Sequence, residues 1–287
     1  VFYQYANTGI ASVWNRLLSE WSATKYSKYI TLLVRDGASY SPPMEVLNKF
    51  NFIKIRAHAP CVDDGYLGDL CRVNDVTLFV STYFTTAKNI RSFLMIHDCI
   101  PERLNNNIIH ESDWLEKKVA IDAAAGYFCI SKTTYNDLLK YYPIGVKDKL
   151  VYIAKNEIPY NFDRSSESRV DAFKVKYNIK GKFILFVGER VGYLGYKNVE
   201  RIARVLGLIA DIRPDLLNEY EILFLGGGDW NDELTIEPSI DKHLLAWRIK
   251  HLTISFDELA DAYSAASFLI YPSTIEGFGL PPGEAIL

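Results

Sequence analysis

Short runs of β-branched and aromatic residues alternate along this chain with longer segments of helical period, and the whole alternation occurs twice. That is the signature of parallel sheets with crossover helices, an α/β class of fold. In the first half the expected strands are Val1–Tyr5, Ile30–Val34, Phe52–Arg56, Thr77–Val80, Phe93–Ile96, Tyr127–Ile130 and Val151–Ile153. Helical period falls on Ile10–Trp21, Trp114–Ala124 and Lys132–Tyr141, the last preceded by Ser131, a good N-cap. The second half restarts with a strand at Phe183–Val187, a helix at Asn198–Ala210, a strand at Tyr220–Leu225, a helix at Asp257–Ala266 and a strand at Phe268–Tyr271. Ser255 and Glu258 form a capping box ahead of the second of these helices. Between the halves, Lys155–Arg169 is polar and without period, the composition of a linker. A chain of 287 residues is long enough for two cores, so the expected domains are 1–160 and 161–287.

The formal charge of -3 and pI near 6.0 give no global attraction to nucleic acid or to an anionic bilayer, so any phosphate binding has to be local. Cys61, Cys71, Cys99 and Cys129 show neither CxxC spacing nor neighbouring paired histidines, which indicates no zinc site and no redox pair. A reduced, cytosolic protein is the default. No apolar run approaches the roughly 18 residues that cross a bilayer, and no charged-then-apolar leader precedes the first strand. The chain starts at Val1 inside an expected strand and stops at Leu287 inside an expected helix, so further residues are expected at both ends.

The most informative stretch is the last, from Tyr271 to Leu287, which passes from a strand through a glycine turn into a helix. Gly277 and Gly279 allow close backbone approaches, and Pro281 and Pro282 suit a first helical turn, whose amides are unbonded in any case. A helix start with free N–H groups suits a diphosphate or polar sugar hydroxyls. Glu276 and Glu284 flank that turn with seven residues between them. Two carboxylates beside phosphates make electrostatic sense where they accept hydrogen bonds from neutral hydroxyls on either side, as of a sugar and a ribose. An isolated Gly-x-Gly turn is also what an ordinary capped helix with an acidic first turn looks like.

Glu276-Gly-Phe-Gly-Leu-Pro-Pro-Gly-Glu284 resembles the E-x7-E motif of family 4 retaining glycosyltransferases, which have the GT-B fold: two Rossmann-like domains with parallel sheets facing across a cleft. The resemblance implies that Glu276 and the amides of Phe278, Gly279 and Leu280 address the transferred sugar and the phosphates, and that Glu284 holds the ribose hydroxyls. The first domain is then the acceptor side and the second the nucleotide-sugar side. Gly283 departs from the family, which more often has a larger apolar residue there, and should loosen the helix start slightly.

Further positions match. Arg190, after Phe186-Val-Gly-Glu, and Lys197, within Tyr196-Lys-Asn198, resemble the family's Arg and Lys pair, which neutralises the departing diphosphate; here Val191-Gly-Tyr-Leu-Gly195 lengthens the loop between them. Ile96-His-Asp-Cys-Ile-Pro101 resembles the His-Asp-x-x-Pro stretch that faces the cleft, which makes His97 the candidate for contacting the donor sugar or orienting the acceptor. Asn7-Thr-Gly-Ile-Ala-Ser12 resembles the N-terminal glycine loop, with Gly9 letting backbone approach substrate, although such turns also follow first strands that bind nothing. Phe128-Cys-Ile-Ser131 and Leu225-Gly-Gly-Gly228 match positions where strands end near the nucleotide, and both serve equally as tight strand-to-helix turns.

The chain has no Asp-x-Asp tripeptide, the manganese anchor of the other major glycosyltransferase fold, so a metal-free reaction with no cofactor is expected. By resemblance the reaction transfers a hexosyl group with retention to a glycan or lipid-linked acceptor, as in bacterial polysaccharide assembly. The Gly195-Tyr-Lys-Asn198 stretch leans towards GDP-mannose as donor. Peripheral contact with the inner face of a membrane is compatible with a lipid-linked acceptor. Three other readings compete: a glycoside hydrolase using Glu276 and Glu284 as its carboxylate pair, a nucleotide-sugar epimerase on the same fold, and a non-catalytic sugar-nucleotide-binding protein. Arg190 and Lys197 argue against the hydrolase, which has no diphosphate to neutralise.

Overall fold

The computed structural model describes residues 9–37, 44–59, 62–104, 111–154, 163–188, 195–226, 249–255 and 258–286. The chain divides into two compact units, Val1–Asn156 and Glu157–Leu287.

In the first unit α1 (Gly9–Ser22) leads to β1 (Thr31–Arg35), α2 (Met44–Leu47), β2 (Asn51–Ile55), α3 (Asp63–Val73), β3 (Leu78–Ser81) and β4 (Arg91–Ile96). There follow α4 (Ile100–Leu104), α5 (Glu111–Ala123), β5 (Gly126–Cys129), α6 (Lys132–Tyr141), α7 (Pro143–Val146) and β6 (Leu150–Ile153). Strands β1 and β2 pair in parallel, and β3-β4-β5-β6 form a second, wholly parallel sheet in that order. Strand β4 shows why: its apolar run is buried on both faces, which only a sheet with cover on each side provides. Leu94 and Ile96 pack with Ala120 and Ile121 of α5 and Leu138 of α6, whereas Met95 packs with Ala11, Trp14 and Leu18 of α1.

The second unit contains α8 (Glu167–Lys176), β7 (Lys182–Val187), α9 (Val199–Ile212), α10 (Pro214–Glu219), β8 (Tyr220–Leu225), β9 (Ile249–Leu252), α11 (Leu259–Ala265), β10 (Phe268–Leu269) and α12 (Leu280–Ile286). Its sheet is parallel in the order β10-β7-β8-β9. The period of two again splits the core. Phe183 and Leu185 turn to Phe173 of α8 and Ala262 of α11, and Phe186 turns to Ile202 and Leu206 of α9. Each such fully buried side chain contributes about 1.5–3 kcal/mol relative to exposure.

The expected strand at Val1–Tyr5 lies outside the described residues, as do most of the expected linker and Gly227 and Gly228. The linker's last three residues need correction: α8 begins at Glu167, because Ser166 is an N-cap whose hydroxyl accepts from the Arg169 amide. Strand β9 carries Lys250 and His251 among its four residues, which hid it from a search for apolar runs. At the capping box, the Glu258 carboxylate accepts from both the amide and the hydroxyl of Ser255, so only the glutamate half of that motif forms. Cys71, Cys99 and Cys129 are free and buried, and burial pushes the thiols of Cys99 and Cys129 up to about 12. Among the described residues no helix is long and apolar enough to cross a membrane.

Candidate functional site

In an open parallel α/β sheet the loops at the carboxyl ends of the strands hold ligands, because strands end there and helix starts converge. In the second unit two such loops are bound to each other. The first leaves β7 and reaches α9 through Gly195-Tyr-Lys-Asn198; the second leaves β10 and reaches α12 through Pro272–Gly279. The Thr274 amide donates to the Tyr196 carbonyl at 2.9 Å, and the Asn198 side-chain amide donates to the Pro272 carbonyl at 3.1 Å. Asn198 takes a left-handed conformation, with φ of 56°, which asparagine tolerates better than most residues. These contacts join stretches more than seventy residues apart in sequence.

Their consequence is one ion pair. The Lys197 ammonium lies 2.7 Å from the Glu276 carboxylate, with the two side chains only 13% and 21% exposed. The same ammonium sits over the rings of Tyr196 and Tyr271, at 5.1 and 5.6 Å from their centroids. Its stem lies along Gly188 at the end of β7, where a Cβ would come to 3.4 Å of Lys197 Cε. A shielded cation held beside a carboxylate and aromatic faces has an attraction for phosphate that water screens weakly.

The turn between Glu276 and α12 is shaped by Gly279, whose φ of 84° no L side chain adopts comfortably and whose missing Cβ would lie 3.3 Å from the Tyr271 hydroxyl. Gly279→Ala is therefore expected to cost about 1–2 kcal/mol of stability, read as a lower midpoint in urea or thermal unfolding. An unchanged midpoint would remove the argument for this turn. Leu280 is the first residue of α12 and Phe278 is exposed. Pro281 and Pro282 carry no N–H, so the donors at this helix start are few: the amides of Gly279 and Leu280, then that of Gly283.

Glu284 is 5% exposed and accepts a 2.8 Å hydrogen bond from the hydroxyl of Tyr263 on α11. Burial raises its pKa, which the bond from Tyr263 opposes; burial, then Glu284 itself, raises that of Tyr263. Tyr263 and Tyr271 carry no local mark in the sequence: among 19 tyrosines, nothing nearby separates a core ring from one that supports a loop.

Arg190 falls outside the described residues. His97 and Gly9 belong to the first unit. Gly9 opens α1 and is exposed; the small residues after it form the first helical turn, because Ile10, Trp14 and Leu18 repeat with helical spacing. His97 follows β4 and is buried, with Nε2 3.2 Å from the Thr82 carbonyl, while its own carbonyl accepts from Thr134 Oγ1 at 3.3 Å. Burial is the larger influence and holds its pKa down at about 4, against the raising effect of the Thr82 bond. A carbonyl only accepts, so Nε2 carries the proton and Nδ1 keeps a lone pair. Lys117, itself buried, donates to the Asp98 carbonyl at 3.2 Å and anchors the turn that follows. Among the described residues no three His, Cys, Asp or Glu side chains converge as a set of metal ligands.

No family model and no curated protein matches this sequence. Solved structures do match it in three dimensions. HepE of Anabaena, crystallised with UDP-glucose, superposes with a TM-score of 0.63 at 12% identity, covering 95% of this chain and 74% of HepE. A glycosyltransferase of Rickettsia africae gives 0.57 at 14% identity, over 90% of this chain and 69% of the other. A mutant of S. aureus TarM, in complex with fondaparinux, alpha-GlcNAc-glycerol and UDP, gives 0.52 at 15% identity, over 77% of this chain and 41% of TarM. The chain has the GT-B fold of the glycosyltransferases. At these identities the likeness is one of architecture, parallel sheets layered with helices, and the chemistry has to be argued from the side chains.

Proposed function

We propose that this protein transfers a hexosyl group from a nucleoside-diphosphate sugar to a glycan or lipid-linked acceptor, with retention of configuration and without a metal. The observation that carries the reading is the Lys197–Glu276 pair, 2.7 Å apart at the carboxyl edge of the second unit's sheet and beside the Gly279 turn. A diphosphate needs a cation and amide donors, and the sugar joined to it offers hydroxyls to a carboxylate; this edge brings all three together from two loops.

Lys197 is assigned to the phosphates and Glu276 to hydroxyls of the transferred sugar. The amides of Gly279 and Leu280 supply neutral donors, with Phe278 bordering the turn. Glu284 is assigned to the ribose, its carboxylate oriented by Tyr263. Arg190 is assigned by resemblance as the second cation. As the sugar–phosphate bond breaks, charge grows on the diphosphate oxygens, so a fixed ammonium lowers the barrier more than it tightens substrate binding. Attack on the face the leaving group departs from, through an oxocarbenium-like transition state, retains the anomeric configuration. A histidine whose pKa is near 4 is a weak base at neutral pH, so His97 is assigned to orient a hydroxyl through Nδ1. A cytoplasmic place, with or without peripheral membrane contact, is part of the same proposal.

GDP-mannose is the donor favoured by the Gly195-Tyr-Lys-Asn198 stretch, and UDP-glucose is the second candidate because HepE was crystallised with it. The test is to incubate the protein with each donor, with and without glycan acceptors, and to follow nucleoside diphosphate and product mass. Acceptor-dependent release, unaffected by chelator, is the expected result, with the anomeric configuration of the product read by NMR. Donor isomerised without release would indicate an epimerase, glycan cleaved without a donor a hydrolase, and binding without turnover a non-catalytic protein; each would overturn the proposal.

A further inference from the structure

Tyr271 lies two residues past β10 and adjoins Lys197, Gly279 and Glu276 of the donor-side cluster. Its ring lies beneath the Lys197 ammonium, and its hydroxyl fills the space that a Cβ at Gly279 would need. Glu276 is near enough to be, after burial, the largest cause of the raised pKa of this phenol. Yet the hydroxyl is buried and, among the described residues, makes no hydrogen bond of ordinary geometry; the Ser273 hydroxyl, which also adjoins it, is in the same condition. Buried hydroxyls without partners are rare, because desolvation is then uncompensated, and they call for a state in which the bond is made.

The ion pair indicates that state. Glu276 Oε1 is held by Lys197 at 2.7 Å. A diphosphate carries more charge than one carboxylate and competes for the same ammonium. Glu276 then loses its partner inside a shielded pocket, where an unpaired carboxylate is costly. The donor beside it is the Tyr271 hydroxyl.

We propose that Tyr271 is a positioning residue: when a diphosphate takes Lys197, the Tyr271 O–H donates to the Glu276 carboxylate and holds it facing the hydroxyls of the transferred sugar. The inference rests on the donor-site reading above. It makes the hydroxyl matter more for a nucleotide sugar than for the bare nucleoside diphosphate: the diphosphate alone calls on it to partner the released carboxylate, whereas the sugar also needs that carboxylate held in one orientation. A role confined to packing would affect the two ligands alike.

The experiment measures affinities of UDP, GDP and ADP, and of UDP-glucose, GDP-mannose and ADP-glucose, by calorimetry for the wild-type protein and for Tyr271→Phe, Glu276→Gln and the double variant. Tyr271→Phe is expected to keep its cooperative thermal transition and to lose no more than a few-fold in nucleoside diphosphate affinity. It should lose about tenfold in affinity for the matching nucleotide sugar, the size expected for one hydrogen bond to a charged group. In the Glu276→Gln background it should add no further loss, because the carboxylate it serves is gone. Nucleotide-sugar affinity unchanged by Tyr271→Phe, or diphosphate and nucleotide sugar weakened equally, would overturn the assignment while leaving the donor site intact. A wild-type protein that binds none of the six nucleotides would overturn the donor site and this inference together.

Discussion

Lys197→Ala is expected to lower kcat for transfer by about 10²–10³-fold, the usual loss when one preorganised donor to a developing anion is removed. The geometry says why the effect should fall on kcat. The ammonium is held by Glu276 and two aromatic rings, and its stem lies along Gly188, so it is already in place when charge grows on the leaving diphosphate. An interaction that strengthens in the transition state lowers the barrier, whereas one of equal strength in both states changes KM alone. Removing the lysine also strands Glu276, which is 21% exposed, so unfolding has to be measured beside turnover. Steady-state rates of nucleoside diphosphate release from the matching donor make the check. A kcat within a few-fold of wild type, in a variant that remains folded, would end the assignment of Lys197 to the leaving group.

His97→Gln should flatten the acid limb of the stability curve. In the folded protein burial holds the His97 pKa down at about 4, against 6.5 for the free side chain. Between those values the unfolded chain binds a proton that the folded one does not, so stability falls as the pH drops from 6.5 to 4; it is fully present above and changes no further below. The interval corresponds to about 3 kcal/mol at 1.36 kcal/mol per unit. Glutamine is the substitution of choice because its side-chain amide can replace the Nε2–H bond to the Thr82 carbonyl without titrating. Urea unfolding at several pH values across that window should show the wild-type protein losing about 3 kcal/mol more than the variant. Equal slopes would mean that His97 titrates alike in the folded and unfolded chain, and the argument that burial keeps it from acting as a base would go with it.

Local sequence carried most of the element order because each signal had a local cause. Helix α6 occupies Lys132–Tyr141 as expected, since the Ser131 hydroxyl accepts from the Thr134 amide and sets its start. Strand β8 likewise keeps the bounds read from its apolar run, Tyr220–Leu225. Helix α3 was missed: Gly65 and Gly68 lower its propensity, and its hold comes from packing of Leu67 and Cys71 on Ile55. Strand β9 was missed because its Lys250 is satisfied by Glu221 on the neighbouring strand, a pairing invisible before the sheet is assembled.

The candidate site divides along the same line. Glu276, Gly279, Glu284 and Lys197 could be named from the sequence, since a glycine turn entering a helix and a basic loop after a strand are local patterns. That Lys197 and Glu276 meet, that Tyr271 supports them and that Tyr263 occupies Glu284 are decisions of the tertiary structure. The physical reason is range: chain dihedrals and hydrophobic period act over a few residues, while these partners lie 79 and 21 residues apart and meet only after the parallel sheet has brought its strand ends to one edge.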